Sequence, residues 1–139
     1  MTGTPQTGIV IAFDYGLKRI GVAVGNGFTC TASALDPLPA RDGVPDWQRV
    51  AELLSRWKPE QLVVGLPLNM DDSPSEMSTR AERFARRLEG RFAIPCALMD
   101  ERLSTFEARG LIAEAGSRAS RDSVAACLVL ESWFANRAD

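Results

Sequence analysis

The chain has 139 residues, of which 45% are apolar, with a net charge of −2 and a pI near 5.2. This length and composition predict one domain over residues 1–139 with its own core. Residues 1–8 of it are expected to form a flexible tail. No apolar run approaches the roughly 18 residues of a membrane span, and the sequence does not begin with the charged and then apolar segments of a signal peptide. We therefore expect no membrane partner.

The residue types narrow the possible chemistry. There is no histidine, which excludes Ser-His-Asp and Cys-His catalysis and histidine-based zinc sites. Catalysis must then rest on carboxylates, arginine, lysine or a bound metal. The three cysteines are far apart and are interpreted as small buried apolar side chains of a protein in the reducing cytoplasm.

The first predicted strand, Ile9–Phe13, is apolar at every position, which is typical of a central strand covered on both faces. It ends at Asp14, a carboxylate that is costly to bury unless it is paired, hydrogen-bonded or bound to a metal. Functional sites of α/β sheets gather outside the carboxyl ends of the strands. Asp14 is therefore the first candidate site residue, the alternative being that it only begins a turn.

The next residues predict an antiparallel meander. A second strand is expected over Arg19–Gly25, and Asn26-Gly27 is a short hairpin signal that leads to a third strand near Phe28–Leu35. Prolines and a glycine between residues 37 and 45 then break the chain. Asp46 can cap a helix whose apolar face consists of Trp47, Val50, Ala51, Leu54 and Trp57. The two tryptophans are interpreted as core residues rather than base-stacking platforms.

The second half alternates strands and helices. We expect a strand at Gln61–Leu66, a helix from a capping box at Ser73–Glu76 to about Phe92, a strand at Pro95–Met99, a helix near Thr105–Glu114 and a last helix from Arg121 to about Asn136. A helix between successive strands implies a parallel crossover. The predicted fold is α/β, with a mixed five-stranded sheet of three antiparallel and then two parallel strands, flanked by helices.

Three carboxylates are predicted to meet at one sheet edge. Asp14 ends the first strand, Glu101 follows the last strand beside Asp100, and Asp122 lies in the first turn of the final helix. Oxygen ligands on separate elements suit a hard cation such as Mg²⁺. Taken singly, Asp122 is explained by the helix dipole, and Glu101 by pairing with Arg102 or Arg109.

Three blocks of sequence together carry a resemblance to a known family. They are Asp14–Val24, Val64–Asp71 and Asp100–Thr105, and Asp122 with Ala125-Ala126 matches the closing helix. The chain resembles the YqgF (RuvX) family, whose members are described as Holliday junction resolvases or pre-16S rRNA nucleases with an RNase H-like fold. One departure is Asp72, where the family usually has glycine.

The resemblance implies that Asp14, Glu101 and Asp122 are catalytic acids that bind Mg²⁺, with Mn²⁺ as a possible substitute. Asp14 would be shared between two ions, and Asp100 would have a supporting role. Two such metal ions would activate water and stabilise the leaving oxygen of a phosphodiester. The residues expected to contact substrate from loops and turns are Lys18, Arg19, Asn69 and Arg102.

The predicted helix 73–92 carries a further candidate surface. At about 100° per residue, Arg80, Arg83, Arg87 and Arg91 form one stripe, with Glu82 and Glu89 on the far side. The stripe is expected to bind nucleic-acid backbone. The alternative is a solvated face whose arginine stems cover apolar surface.

The function expected from these observations is a Mg²⁺-dependent endonuclease that processes the 5′ end of precursor 16S rRNA during ribosome biogenesis. Two alternatives stay open beside it: a resolvase of branched DNA and a non-catalytic nucleic-acid-binding factor in transcription or ribosome assembly. A further one, an actin-like ATPase, is excluded. It needs two such domains and a second phosphate loop, for which 139 residues are too few. Both a monomer and a homodimer are compatible with the sequence.

Overall fold

The structure is a computed structural model that describes residues 8–66, 76–100 and 121–137, the last range without the side chains of residues 121, 122, 136 and 137. Its elements, in chain order, are β1 (Ile9–Asp14), β2 (Arg19–Asn26), β3 (Thr31–Arg41), β4 (Val44–Pro45), α1 (Trp47–Trp57), β5 (Gln61–Leu66), α2 (Glu76–Phe92), β6 (Cys96–Asp100) and α3 (Arg121–Arg137). In these ranges, no helix has the length and apolar character needed to cross a membrane.

The strands form one mixed sheet in the order β4-β3-β2-β1-β5-β6. β1 is antiparallel to β2 and parallel to β5, and β5 is parallel to β6. The predicted α/β class is therefore confirmed, and the first strand lies inside the sheet as expected. The two-residue β4, which pairs with the end of β3, was not predicted.

The prediction for the third strand was wrong at both of its ends. β3 begins at Thr31, after a four-residue loop in which the Asn26 carboxamide accepts a hydrogen bond from the Phe28 amide. It then continues through Pro37 and Pro39 to Arg41. Proline is tolerated here because Pro37 lies at an irregularity in the pairing with β2 and because, among described residues, β3 pairs on its other side only at its end.

A tight turn joins β3 to β4. Asp42 and Gly43 both have positive φ angles, 49° and 82°, between the paired residues Arg41 and Val44. This is the pattern of a type I′ hairpin, for which Asp-Gly is a preferred dipeptide. The Asp42-Gly43 signal was present in the sequence, but it was interpreted only as a break.

One face of the sheet, the α2 face, is covered by α1 and α2. Its buried side chains are large and include Phe13, Ile20, Val22, Leu54 and Phe84. Aromatic rings dominate the centre, where Phe84 contacts Phe13 edge-on at 5.6 Å between ring centroids and also packs on Tyr15 and Trp47. Trp47 and Trp57 pack against this core, as expected.

The other face, the α3 face, is covered by α3 and has smaller side chains. Val10, Ala12 and Ala23 on the sheet meet Ala126 and Leu130 on the helix. Small residues let the helix backbone approach the strands closely. Gly25 marks this close fit, because a Cβ there would lie 2.4 Å from the Thr31 carbonyl oxygen and 2.7 Å from Leu130.

The helix predictions hold wherever the structure describes them. α1 begins after Asp46, whose carboxylate accepts a hydrogen bond from the Gln48 amide, and ends at Lys58 in a left-handed conformation. Ala51, predicted on the apolar face of this helix, is exposed. The capping box at residues 73–76 and the helix expected near residues 105–114 lie, apart from Glu76, outside the described residues.

The cysteine prediction was wrong for one of the three. Cys30 is exposed in the β2–β3 loop, whereas Cys96 and Cys127 are half-buried. Burial raises the pKa of the Cys96 thiol to about 12 and that of Cys127 to about 11, with smaller contributions from Glu89 and Glu131 respectively. Only Cys30 departs from the expected apolar, enclosed environment.

Candidate active site at the carboxyl end of the central strand

Asp14 is the last residue of β1 and is half-buried. In the register of the sheet it lies opposite Gly21 of β2. Because side chains alternate along a strand, Asp14 shares its face with Val10 and Ala12, which pack against α3. The structure therefore places Asp14 at the α3 face, at the sheet edge where a site was expected.

A β-bulge next to Asp14 holds the beginning of α3. Ile20 pairs with Leu38 and Val22 pairs with Leu35, so one residue of β2 opposes two residues of β3. The Val22 amide donates instead to the Ser123 hydroxyl, over 3.2 Å, and Ser123 is completely buried. This hydrogen bond fixes the first turn of α3 beside the strand that pairs with Asp14, and bulges are common next to active sites.

Asp122 precedes Ser123 in that first turn of α3. The structure describes its backbone as helical, and the hydrogen bond of Ser123 brings this turn to the same sheet edge as Asp14. The sequence reasoning selected Asp122 but missed Ser123. The sequence pattern around Ser123 gave little indication of this role, since a serine near a helix start is ordinarily only a capping residue.

The end of β6 supplies a further reference point. Val64 of β5 pairs with both Phe13 and Leu98, so Asp14 is level with Met99 across two strand spacings, about 10 Å. Met99 packs in the α3-face core, and alternation therefore puts Asp100 on the α2 face. Asp100 thus does not share a face with Asp14, and Glu101 lies outside the described residues.

Two of the predicted phosphate-binding residues are close to Asp14 in the chain. Lys18 and Arg19 are exposed in the β1–β2 connection, which leaves and re-enters the sheet at the same edge as Asp14. The connection is fixed by backbone hydrogen bonds from Ala40 to the Lys18 carbonyl and from Gly43 to the Leu17 carbonyl. Asn69 and Arg102 lie outside the described residues.

The arginine stripe of α2 divides into two pairs. Arg80 forms an ion pair with Asp42 over 3.2 Å, and Arg91 lies over the Trp47 ring at 4.2 Å. Asp42 also raises the pKa of Arg80 by its charge and its hydrogen bond. Arg83 and Arg87 are exposed and line a cleft. The stripe lies on the α2 face, on the opposite side of the sheet from Asp14.

A tyrosine connects these regions. Tyr15 follows Asp14 directly, but its side chain is buried on the α2 face and its hydroxyl donates to the Gly43 carbonyl over 2.9 Å. The β3–β4 turn therefore contacts the end of β1 through Gly43 and α2 through Asp42. Sequence reasoning treated Tyr15 only as part of a turn, because its partner is 28 residues away.

Only part of the predicted metal site lies in the described ranges. No group of three or more acidic, cysteine or histidine side chains that could hold an ion occurs among them. Of the three predicted acids, only Asp14 has a described side chain. Asp14 is half-buried at the end of its strand, and the two other predicted ligands are also carboxylates. A set of carboxylate oxygens fits a hard divalent cation.

The matches to known proteins extend over nearly the whole chain. A family model described as RuvX, Holliday junction resolvase, matches residues 8–136. A protein of Azotobacter vinelandii named "Putative pre-16S rRNA nuclease" is 54% identical over 134 residues, covering 93% of this chain and 94% of its own length. A protein of the same name from Pseudomonas putida is also 54% identical, over 132 residues, covering 91% and 94%.

Solved structures show the same fold at low identity. RuvC of Thermus thermophilus in complex with a Holliday junction substrate aligns with a TM-score of 0.61 at 15% identity, covering 93% of this chain and 94% of its own. The fowlpox virus resolvase with its substrate Holliday junction DNA aligns with a TM-score of 0.57 at 13% identity, covering 94% and 99%. These likenesses concern the architecture of the sheet and helices.

Proposed function

The chain belongs to the RuvX family, and from this premise we propose that it is a cytoplasmic, divalent-metal-dependent endonuclease of structured nucleic acid. The observation that carries the proposal is the position of Asp14. It ends the central strand on the α3 face, at the edge to which the buried Ser123 hydrogen bond ties the first turn of α3. A nuclease of this kind needs carboxylates from separate elements at one point.

The proposed catalytic acids are Asp14, Glu101 and Asp122. Asp14 and Asp122 belong to elements that meet at one edge of the sheet. Asp100 takes the α2 face of β6, so the α3 face at this end is left to a neighbouring position. We therefore assign the third acid to Glu101 and only a supporting role to Asp100.

The donor set fits Mg²⁺, or Mn²⁺ in its place, because carboxylate oxygens are hard ligands. When bound there, such an ion activates water and stabilises the leaving oxygen of a phosphodiester. The chain's own part is to hold three carboxylates in fixed directions, from the end of β1, from the position that follows β6 in the chain and from the first turn of α3. The small residues beneath α3 give that helix little freedom to shift.

The exposed cations at the same edge are proposed to hold the substrate. Lys18 and Arg19 lie in the connection that follows Asp14, where they can neutralise the phosphates on either side of the reacting one. Asn69 and Arg102 are proposed for the same role. On α2, the exposed Arg83 and Arg87 are proposed to contact backbone farther from the reacting phosphate, whereas Arg80, predicted with them, is paired with Asp42.

Precursor 16S rRNA is the proposed substrate, because relatives about half identical over nearly their full length are named "Putative pre-16S rRNA nuclease". Its 5′ end is the proposed place of cutting. Branched DNA is the second candidate, favoured by the family's description and by structural neighbours solved with Holliday junctions. A non-catalytic nucleic-acid-binding role is the third, and it would not require Asp14.

The test offers labelled precursor 16S rRNA and a four-way DNA junction side by side, with Mg²⁺ or Mn²⁺, to the wild-type chain and to Asp14→Asn. We expect rRNA to be cut near its 5′ end by the wild-type chain only. Cutting of the junction alone would move the assignment to branched DNA. Binding of either substrate with no cutting under both metals would contradict the proposed enzyme.

A further inference from the structure

A cleft of about 220 Å³ opens on the α2 face between the β3–β4 turn, the start of α1 and α2. Its walls include Tyr15, Asp42, Trp47, Arg80, Arg83 and Arg87. Tyr15 is the residue that follows Asp14, so the cleft and the carboxylate lie on opposite faces of the same strand end.

The cleft has two cationic side chains in excess. Asp42 is the one carboxylate among the described lining residues, and it is already engaged by Arg80 through its side chain and its carbonyl oxygen. Arg83 and Arg87 are exposed, with no ion pair to any residue in the described ranges. Like charges four residues apart on a helix repel each other. A bound anion would remove that repulsion.

The aromatic residues of the cleft are occupied by packing. The Trp47 ring stacks on Phe84 at 6.0 Å and carries the Arg91 guanidinium at 4.2 Å. The Tyr15 hydroxyl is bound to the Gly43 carbonyl. The cleft therefore presents guanidinium forks rather than ring faces, and such forks suit phosphate oxygens rather than bases.

We infer that this cleft binds phosphate backbone of the nucleic acid beyond the phosphates next to the reacting one, with Arg83 and Arg87 as its ligands. Arg80 and Arg91 then have a structural part, in which they hold the β3–β4 turn and the start of α1 against α2. The substrate crosses the carboxyl edge of the sheet, from Asp14 on one face to the cleft on the other. The inference rests on the proposed function for the identity of the substrate. The cleft itself would recognise phosphates and not the base sequence.

The test measures binding without cleavage. Fluorescence anisotropy in EDTA follows a fluorescein-labelled RNA stem-loop and a labelled four-way DNA junction over a range of salt concentrations. The Arg83→Gln/Arg87→Gln chain is compared with Arg49→Gln/Arg86→Gln, which makes the same charge change at exposed positions outside the cleft. The slope of log K against log salt should fall by about 1.4–1.8 in the cleft variant on both probes.

The control variant should keep a slope within about 0.5 of the wild-type value, and Arg83→Lys/Arg87→Lys should keep the slope while binding more weakly. Equal slopes in the two glutamine variants would overturn the inference. So would saturable binding of inorganic phosphate, lost in the cleft variant, with an unchanged slope on both probes, which would indicate a small-anion site.

Because no strand is cut in this assay, its outcome is separate from that of the proposed nuclease. A reduced slope together with failed cleavage would retain the cleft and reject the enzyme. An unchanged slope with efficient cleavage would retain the enzyme and reject the cleft.

Discussion

The two faces of the sheet are built in different ways. On the α3 face the strands contribute mainly alanine, glycine and valine, so the helix lies close to them, and its first turn is fixed beside Asp14. The α2 face is made of aromatic and branched side chains, and arginines lie at the rim of its thicker layer. The closely packed face therefore carries the proposed catalytic residues, and the face with bulky side chains carries the proposed substrate contacts.

The largest expected effect is on the α3 face. Asp14→Asn keeps the size of the side chain but removes the charge that a cation needs, and cleavage should fall by more than the roughly 10–100-fold typical of groups that only support a ligand. The measurement is the single-turnover rate on precursor rRNA at saturating Mg²⁺. A rate within tenfold of wild type would remove Asp14 from the site.

The same variant has a stability control. If carboxylates crowd at this edge, removing one charge relieves repulsion, so the melting temperature in EDTA should be equal to or above that of the wild-type chain. A lower melting temperature would mean that lost cleavage reflects damaged folding, and the rate would then carry no weight.

A second prediction compares the packing of the two helices. Gly25→Ala, under α3, should destabilise the fold by about 1–3 kcal/mol, because its Cβ would meet the Thr31 carbonyl oxygen and Leu130. Gly90→Ala on α2 has nothing within 4 Å of the new methyl group and should stabilise by about 0.5–1 kcal/mol. Urea unfolding of both chains measures the difference. Equal effects would contradict the close fit of α3.

A third prediction concerns the residue that connects the faces. Tyr15→Phe removes the hydrogen bond to the Gly43 carbonyl and should cost about 0.5–1.5 kcal/mol of unfolding free energy. The loss should appear in urea unfolding as a lower midpoint with an unchanged slope. An unchanged midpoint would show that the β3–β4 turn is not held through Tyr15.

The smallest effect is on the thiols. Burial raises the pKa of Cys96 to about 12 and of Cys127 to about 11, so both stay protonated at pH 8, and the thiolate is the reactive form. In the folded chain only the exposed Cys30 should react rapidly with a thiol reagent. All three should react in urea. Rapid reaction of more than one thiol per folded chain would contradict the burial of the other two.

The raised thiol pKa values also set the direction of a pH effect. The unfolded chain, with ordinary thiol pKa values near 8.5, loses these protons before the folded chain does. The stability contributed by the protonated thiols is therefore complete below about pH 8.5 and lost as pH rises through about 11–12. Cys96→Ala/Cys127→Ala should flatten this decline in urea unfolding at alkaline pH.

The sequence was sufficient where a local pattern determined the structure. The apolar run before Asp14 located the central strand and the end of that strand where the site was expected. Helical spacing located α1 and α2, and a capping serine in the sequence predicted where α3 begins. The edge position of β3 could not be known from its own residues, so Pro37 and Pro39 were read as breaks. Ser123 could not be selected because its partner, Val22, is 101 residues away.

The same limit applies to the arginines of α2. Their spacing predicted one stripe, and the backbone does place them on one side of the helix. The division into paired and exposed members depends on Asp42, which is 38 residues from Arg80, and on Trp47. Such tertiary partners decide which charges remain available to a ligand.

The division between the faces is tested most directly by Asp100, the last residue of β6, and by Glu101, which follows it in the chain. We expect kcat of Glu101→Gln to fall by roughly 100-fold or more and kcat of Asp100→Asn to stay within about tenfold of wild type, both at saturating Mg²⁺ and precursor rRNA, since neighbouring residues of a strand point to opposite faces. If Asp100→Asn is the more damaging change while both chains fold normally, the assignment of the chemistry to the α3 face is wrong.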